Sequence, residues 1–203
     1  MKGNRFSFSL QSQYVMGLTL ALLSTCPSNA QASAPAHSHP MAVQRPAMSA
    51  EQQRKASELI RIVRESTARF HDVNVAEVEG YALQFGCVSG DSAGAMGLHY
   101  VNGDILNKGV IDPTHPPIVI YEPTPSGKLK LIGADFLIFA DAWNAKNTAP
   151  PQLMGQLFHL FDAPNRFELP SFYTLHVWAW KENPNGAFVN WHPNVDCQQF
   201  GGQ

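Results

Sequence analysis

One helical period followed by a succession of strand-like segments is the feature that most limits the folds open to this chain. Ala56, Leu59, Ile60, Val63, Thr67 and Phe70 recur at helical intervals, and Ser49 and Gln52 ahead of them have capping-box spacing. Asp72 is placed to cap a second short helix from Val73 to Glu79, with Gly80 ending it. Beyond that point the chemistry changes. Tyr81–Val88, Met96–Val101, Ile118–Glu122, Leu129–Phe139 and Tyr173–Trp180 are short, rich in β-branched and aromatic residues, and bounded by Gly, Pro, Asn or Asp. Pro125-Ser126-Gly127 reads as a hairpin turn between two of them. A further helix is expected from about Pro151 to Phe161, begun by prolines and closed near Asp162-Ala163-Pro164. Helices first and strands afterwards predict an α+β fold, with N-terminal helices packed on a mainly antiparallel sheet or partly closed barrel rather than βαβ winding.

The N-terminus predicts export. Lys2 and Arg5 precede an apolar run from Tyr14 to Leu23, and small residues surround Ala30 and Ala32, in the order of a secretory signal peptide over residues 1–32. The run is about half of the roughly 20 residues needed to span a bilayer, so no transmembrane segment is expected. Leu23-Ser24-Thr25-Cys26 resembles a lipoprotein cleavage box, with Thr25 a poor residue before the cysteine. Residues 33–48, rich in Ala, Pro and Ser, read as a flexible linker, and residues 49–203 as a single α+β domain. The expected location is periplasmic or secreted.

Cleavage would leave Cys87 and Cys197, an even pair that in an exported chain reads as a disulfide. The alternatives, free thiols or a metal pair, find no C-x-x-C spacing to support them. Of the 14 Lys and Arg, two lie in the signal, leaving 12 against 16 acidic residues. That balance argues against a nucleic-acid partner, which needs a basic face.

Gly90-Asp91-Ser92-Ala93-Gly94 matches the G-x-S-x-G nucleophile elbow. That device needs a helix after the serine, whereas Ala95–Gly103 has strand chemistry. Ser92 as a hydrolase nucleophile is therefore one reading, and a glycine-rich loop between strands is the other.

Polar residues on apolar strand faces suggest a site. Asp135 alternates with Leu129, Leu131, Leu137 and Phe139; Glu122 follows Ile118 and Ile120; His176 lies between Thr174 and Trp178; His99 sits beside Gly97 and Val101. A carboxylate on such a face must be paired, ligated or protonated. Two imidazoles and two carboxylates from different strands are the donors of a first-row transition-metal site, so His99, Glu122, Asp135 and His176 are candidate ligands for a divalent transition metal. The same groups also suit an internal hydrogen-bonded cluster. Tyr100, Trp178 and Trp180 are candidates for a ligand pocket, with aromatic core packing as the alternative. His192, before Pro193, is expected at the surface or in a turn.

Three pieces of the chain, Gly94-Ala95-Met96-Gly97-Leu98-His99-Tyr100, Ile120-Tyr121-Glu122-Pro123 and His176-Val177-Trp178-Ala179-Trp180 through Asn183-Pro184 and Gly186 to Phe188, close with Asn194-Val195-Asp196-Cys197. In these, from about Ala68 to Cys197, the sequence resembles a group of uncharacterised exported bacterial proteins. In that group the position of Asp135 resembles a Glu, which keeps the carboxylate, and that of His192 an Asn, which weakens it as a ligand. The resemblance implies no activity. The expected function is binding of a metal ion or small polar ligand in a His/carboxylate pocket. A structural or interaction domain and a Ser92 hydrolase are the alternatives.

Overall fold

The computed structural model describes residues 48–90 and 92–201, which belong to one compact unit, Arg45–Gln203. The expected signal peptide and nearly all of the expected linker lie outside the described residues. Helix α1, Ala50–Thr67, begins on a capping box in which Gln52 N–H donates to Ser49 Oγ and Ser49 N–H to Gln52 Oε1. Its buried stripe of Ala56, Leu59, Val63 and Thr67 faces the core. A 3-10 turn, Ala68–His71, leads to α2, Val73–Val78, whose first turn donates from Asn74 N–H to the Asp72 carboxylate at 3.0 Å.

Strands β1 (Tyr81–Gly90), β2 (Gly94–Asn102), β3 (Ile118–Pro123), β4 (Leu129–Phe139), β7 (His159–Phe161) and β8 (Phe172–Val177) form one antiparallel sheet in the order β1-β2-β3-β4-β8-β7, curled into a half-barrel. Helices α3 (Gly103–Asn107) and α4 (Ala140–Asn144) occupy connections, and β5 (Gln152–Leu153) pairs with β6 (Gln156–Leu157) as a separate hairpin. The fold is α+β, with the Pro125–Gly127 turn joining β3 and β4 as expected.

The segment read as a helix from 151 to 161 is instead strand. Met154 and Gly155 have φ of 50° and 81°, the two positive dihedrals of a type I′ hairpin turn, and the residues on either side pair. The prolines at 150 and 151 thus precede a hairpin, and His159–Phe161 then joins the sheet beside β8. Strand β8 also ends sooner than its composition suggested. After Val177 the chain leaves the ladder, with Trp178 N–H donating to Ala187 O and Trp180 N–H to Ile132 O.

Two bulges set which residues face which side. In β4, Gly133 pairs with Ile120 but Leu131 with Tyr121, so Ile132 is an inserted residue. Leu129 and Leu131 are thereby removed from the face that carries Asp135. In β1, Phe85 and Gly86, at φ 63° and 62°, stand between the pairs Gln84↔His99 and Cys87↔Leu98.

One face of the sheet packs on the helices: Leu59 and Val63 of α1 join Phe136, Leu175 and Val177 in a core cluster, and Tyr121 Oη donates to Phe70 O at 2.7 Å. The other face, with the opposite alternation, carries the polar residues. Cys87 and Cys197 form a disulfide with Cα atoms 5.7 Å apart, tying the C-terminal segment to β1. Closing a loop of 110 residues is worth about 4–5 kcal/mol in the chain-entropy account. That segment also bridges to β2, His192 and Ala95 exchanging both backbone hydrogen bonds. A Cβ at Gly94 would lie 2.1 Å from His192 O, so the second glycine of the G-x-S-x-G match serves this close approach.

Candidate metal centre

Asp135 on β4 and His176 on β8 are directly opposite partners, and Val101, Ile118 and Asp135 form a continuous cross-strand row. Side chains alternate, so His99, two residues from Val101, projects from the same face. The three meet. His99 Nε2 lies 3.3 Å from His176 Nε2, and His176 Nδ1 lies 3.6 Å from Asp135 Oδ1. One donor atom from each residue falls within 4.8 Å of the others. His99, Asp135 and His176 are 7%, 3% and 2% exposed.

The partners of these groups fix their chemistry. Gly97 O, 3.3 Å from His99 Nδ1, accepts its proton, which leaves the Nε2 lone pair directed at the cluster. Thr174 Oγ1 donates to Asp135 Oδ1 at 2.5 Å. His176 Nδ1 is buried and makes no close hydrogen bond among the described residues, with Asp135 Oδ1 at 3.6 Å and the Asn190 side chain acting on the ring. Burial, reinforced by the neighbouring His176, pulls the His99 pKa down to about 4; burial likewise lowers His176 to about 3. Burial raises Asp135 to about 6, against the opposing pull of His99 and of the Thr174 hydrogen bond. At neutral pH both imidazoles are therefore uncharged, each with one nitrogen lone pair free, as metal ligands must be.

The cluster borders a cavity of about 30 Å³, walled by Met96, Phe161, Phe167, Leu169 and Phe172. That is room for about one water or ion. Phe161 and Phe172 stack with centroids 5.2 Å apart, and Phe167 closes edge-on over Phe85 at 5.5 Å. The spacing of the two Nε2 atoms fits a tetrahedral ion, since metal–nitrogen bonds of about 2.0–2.1 Å place two ligands roughly 3.3 Å apart.

Other candidates lie elsewhere. The Glu122 carboxylate is taken by Lys181 Nζ, at 2.6 and 2.8 Å, and Lys181 also donates to Asn194 O. Among the described residues it is not part of the metal-competent group. Its register partner is Lys130, at the far end of β3 from Asp135's partner Ile118, which explains the separation. Tyr100 follows His99 and so faces the opposite side, edge-on to Tyr121 at 5.0 Å. Trp178 packs in the core beside His176 and donates to Val189 O, while Trp180 donates to Thr67 Oγ1. None of the three aromatics lines the cavity. His192, expected at the surface or in a turn, opens a turn in which Val195 N–H donates to its carbonyl, but it is fully buried, its ring edge-on to Trp178 at 5.0 Å. Ser92 is followed by β2 rather than a helix, so the strand-turn-helix of a nucleophile elbow is not formed. Thr174 and the phenylalanines at 161, 167 and 172 escaped the sequence reading. The density of Phe in residues 158–172 was the available signal.

No family model, curated protein or solved structure matches the chain. The fold and site together define an α+β half-barrel domain with a buried centre of two histidines and one aspartate that can hold a metal ion.

Proposed function

We propose that this is an exported domain that binds one divalent transition metal ion through His99 and His176, with the Asp135 carboxylate on or beside the ion. The observation that carries the reading is the unpartnered, buried Nδ1 of His176 in a cluster whose two Nε2 atoms stand 3.3 Å apart. A buried nitrogen without a partner costs about 1–3 kcal/mol. An ion on Nε2 would fix the proton on Nδ1 and turn it toward Asp135, the histidine–carboxylate arrangement that commonly supports metal ligands. Export is supported by the disulfide and by the order of charged, apolar and small residues at the N-terminus. No helix of the described residues is long and apolar enough to cross a membrane.

A second reading, a purely internal polar cluster, is favoured by the 2.5 Å Thr174–Asp135 hydrogen bond. Elemental analysis of chelator-free protein from an oxidising compartment separates the two. One transition-metal ion per chain, lost in both His99→Ala and His176→Ala, is the expected result. Folded, disulfide-bonded protein that neither carries nor takes up zinc, copper, manganese, iron, cobalt or nickel would overturn the metal reading.

A further inference from the structure

A second cavity of about 260 Å³ adjoins the first and shares five of its wall residues: Phe85, Val101, Ile118, Leu137 and Leu169. Its remaining walls are Gln84, Gly103, Leu106 and Phe139, so none of its described lining residues carries a charge. The two spaces thus lie on either side of a common apolar wall, and the inner one ends on His99, Asp135 and His176. Phe85 belongs to both linings. Phe85 sits on the β1 bulge, 49% exposed, and meets Phe167 edge-on.

The charge balance selects the occupant. A divalent ion with two neutral imidazoles and one carboxylate carries one net positive charge, and in an apolar enclosure that charge calls for a single anionic ligand. The cavity beyond calls for a hydrocarbon. A space of about 150 Å³ lined by Leu, Ile and Phe accepts benzene, so about 260 Å³ accepts an aryl group or a short alkyl chain.

We propose that the site takes a monocarboxylate with an apolar tail, the tail lying in the second cavity between Leu106, Leu137 and Phe85 and a single carboxylate oxygen taking the water-sized space of the inner cavity as the remaining ligand of an ion held on the imidazoles. The inference rests on the metal reading above. It goes further in assigning the ligand class and the route, from the side of the sheet where α3 follows β2.

Titration of zinc-loaded and zinc-free protein with octanoate and with acetate, followed calorimetrically, tests it. Octanoate should bind the zinc-loaded protein at least tenfold more tightly than acetate does, and at least tenfold more tightly than it binds the zinc-free protein. Leu106→Trp and Leu137→Trp, which fill the second cavity, should each weaken octanoate at least tenfold, and zinc should stay at one ion per chain in Leu106→Trp, whose position does not line the inner cavity. Leu106 is half-buried on α3 and remote from the ligands, so it guards against a misfolded Leu137 variant. Zinc bound without preference for octanoate over acetate, or octanoate binding unchanged in both tryptophan variants, would overturn the inference and leave the metal reading standing. No zinc bound at all would sink the metal reading and this inference with it.

Discussion

Gly97 O and His99 Nδ1, 3.3 Å apart, decide which imidazole nitrogen faces the cavity. Gly97 has φ of 89°, and the Tyr121 carbonyl oxygen lies 2.6 Å from where a Cβ would stand, so the backbone that supplies this carbonyl accepts only glycine. Gly97→Ala is therefore expected to lose about 2–4 kcal/mol of stability and most metal affinity. Gly103→Ala, with nothing within 4 Å of the new methyl, should stay within about 0.5 kcal/mol of the parent. Urea unfolding of both variants checks the contrast.

Acid should destabilise the metal-free protein in a defined window. The two histidines, lowered from 6.5 to about 4 and about 3, contribute stability that is complete above pH 6.5 and lost as pH falls. Asp135, raised from 3.8 to about 6, acts in the opposite sense, its contribution complete below 3.8 and lost as pH rises through 6. Between about pH 4 and 6 two imidazoles outweigh one carboxyl, so the unfolded chain binds about one proton more. Stability should rise there with pH, by on the order of 1 kcal/mol per pH unit, and burial of His192 acts in the same sense. Asp135→Asn removes the opposing group and should steepen the slope toward twice that value, measured by urea midpoints across the range.

Thr174→Val keeps the shape of the side chain but leaves Asp135 Oδ1 without its 2.5 Å donor. A loss of about 1–3 kcal/mol is expected, together with weaker metal retention. Competition with a chromogenic chelator reads the second effect separately from unfolding.

Glu122→Gln separates ion pairing from metal ligation. Both side chains of the Glu122–Lys181 pair are mostly buried, at 16% and 21% exposure, so neutralising one should cost about 1–3 kcal/mol. Metal content should stay at one ion per chain. Loss of the ion in a folded Glu122→Gln protein would return Glu122 to the ligand set.

Much of the fold was legible because local chemistry and tertiary packing agree. The Ser49–Gln52 box, the Asp72 cap and the Pro125–Gly127 turn act within a few residues, and alternation placed His99, Asp135 and His176 on strands whose faces converge. Failures arose where one residue changes a register. Ile132, inserted as a bulge, sends Leu131 to the opposite side from Asp135, and no property of isoleucine announces this. The 151–161 segment turned on Met154 adopting a positive φ beside Gly155. The pairing of Glu122 was not legible because its partner, Lys181, is 59 residues away in the chain. Sequence alternation carries no information on such a pairing.

A half-barrel, unlike a closed barrel, has two free margins, and unpaired backbone at a sheet margin is a template on which a second chain can add. Here β7, only three residues long, presents few groups at one margin, while the Phe85–Gly86 bulge breaks the row of β1 at the other. The same irregularity that brings an aromatic ring to the cavity thus also breaks the edge on which another strand could add. Straightening the bulge by deleting Phe85 and Gly86 is expected to increase self-association, read by light scattering against the parent chain.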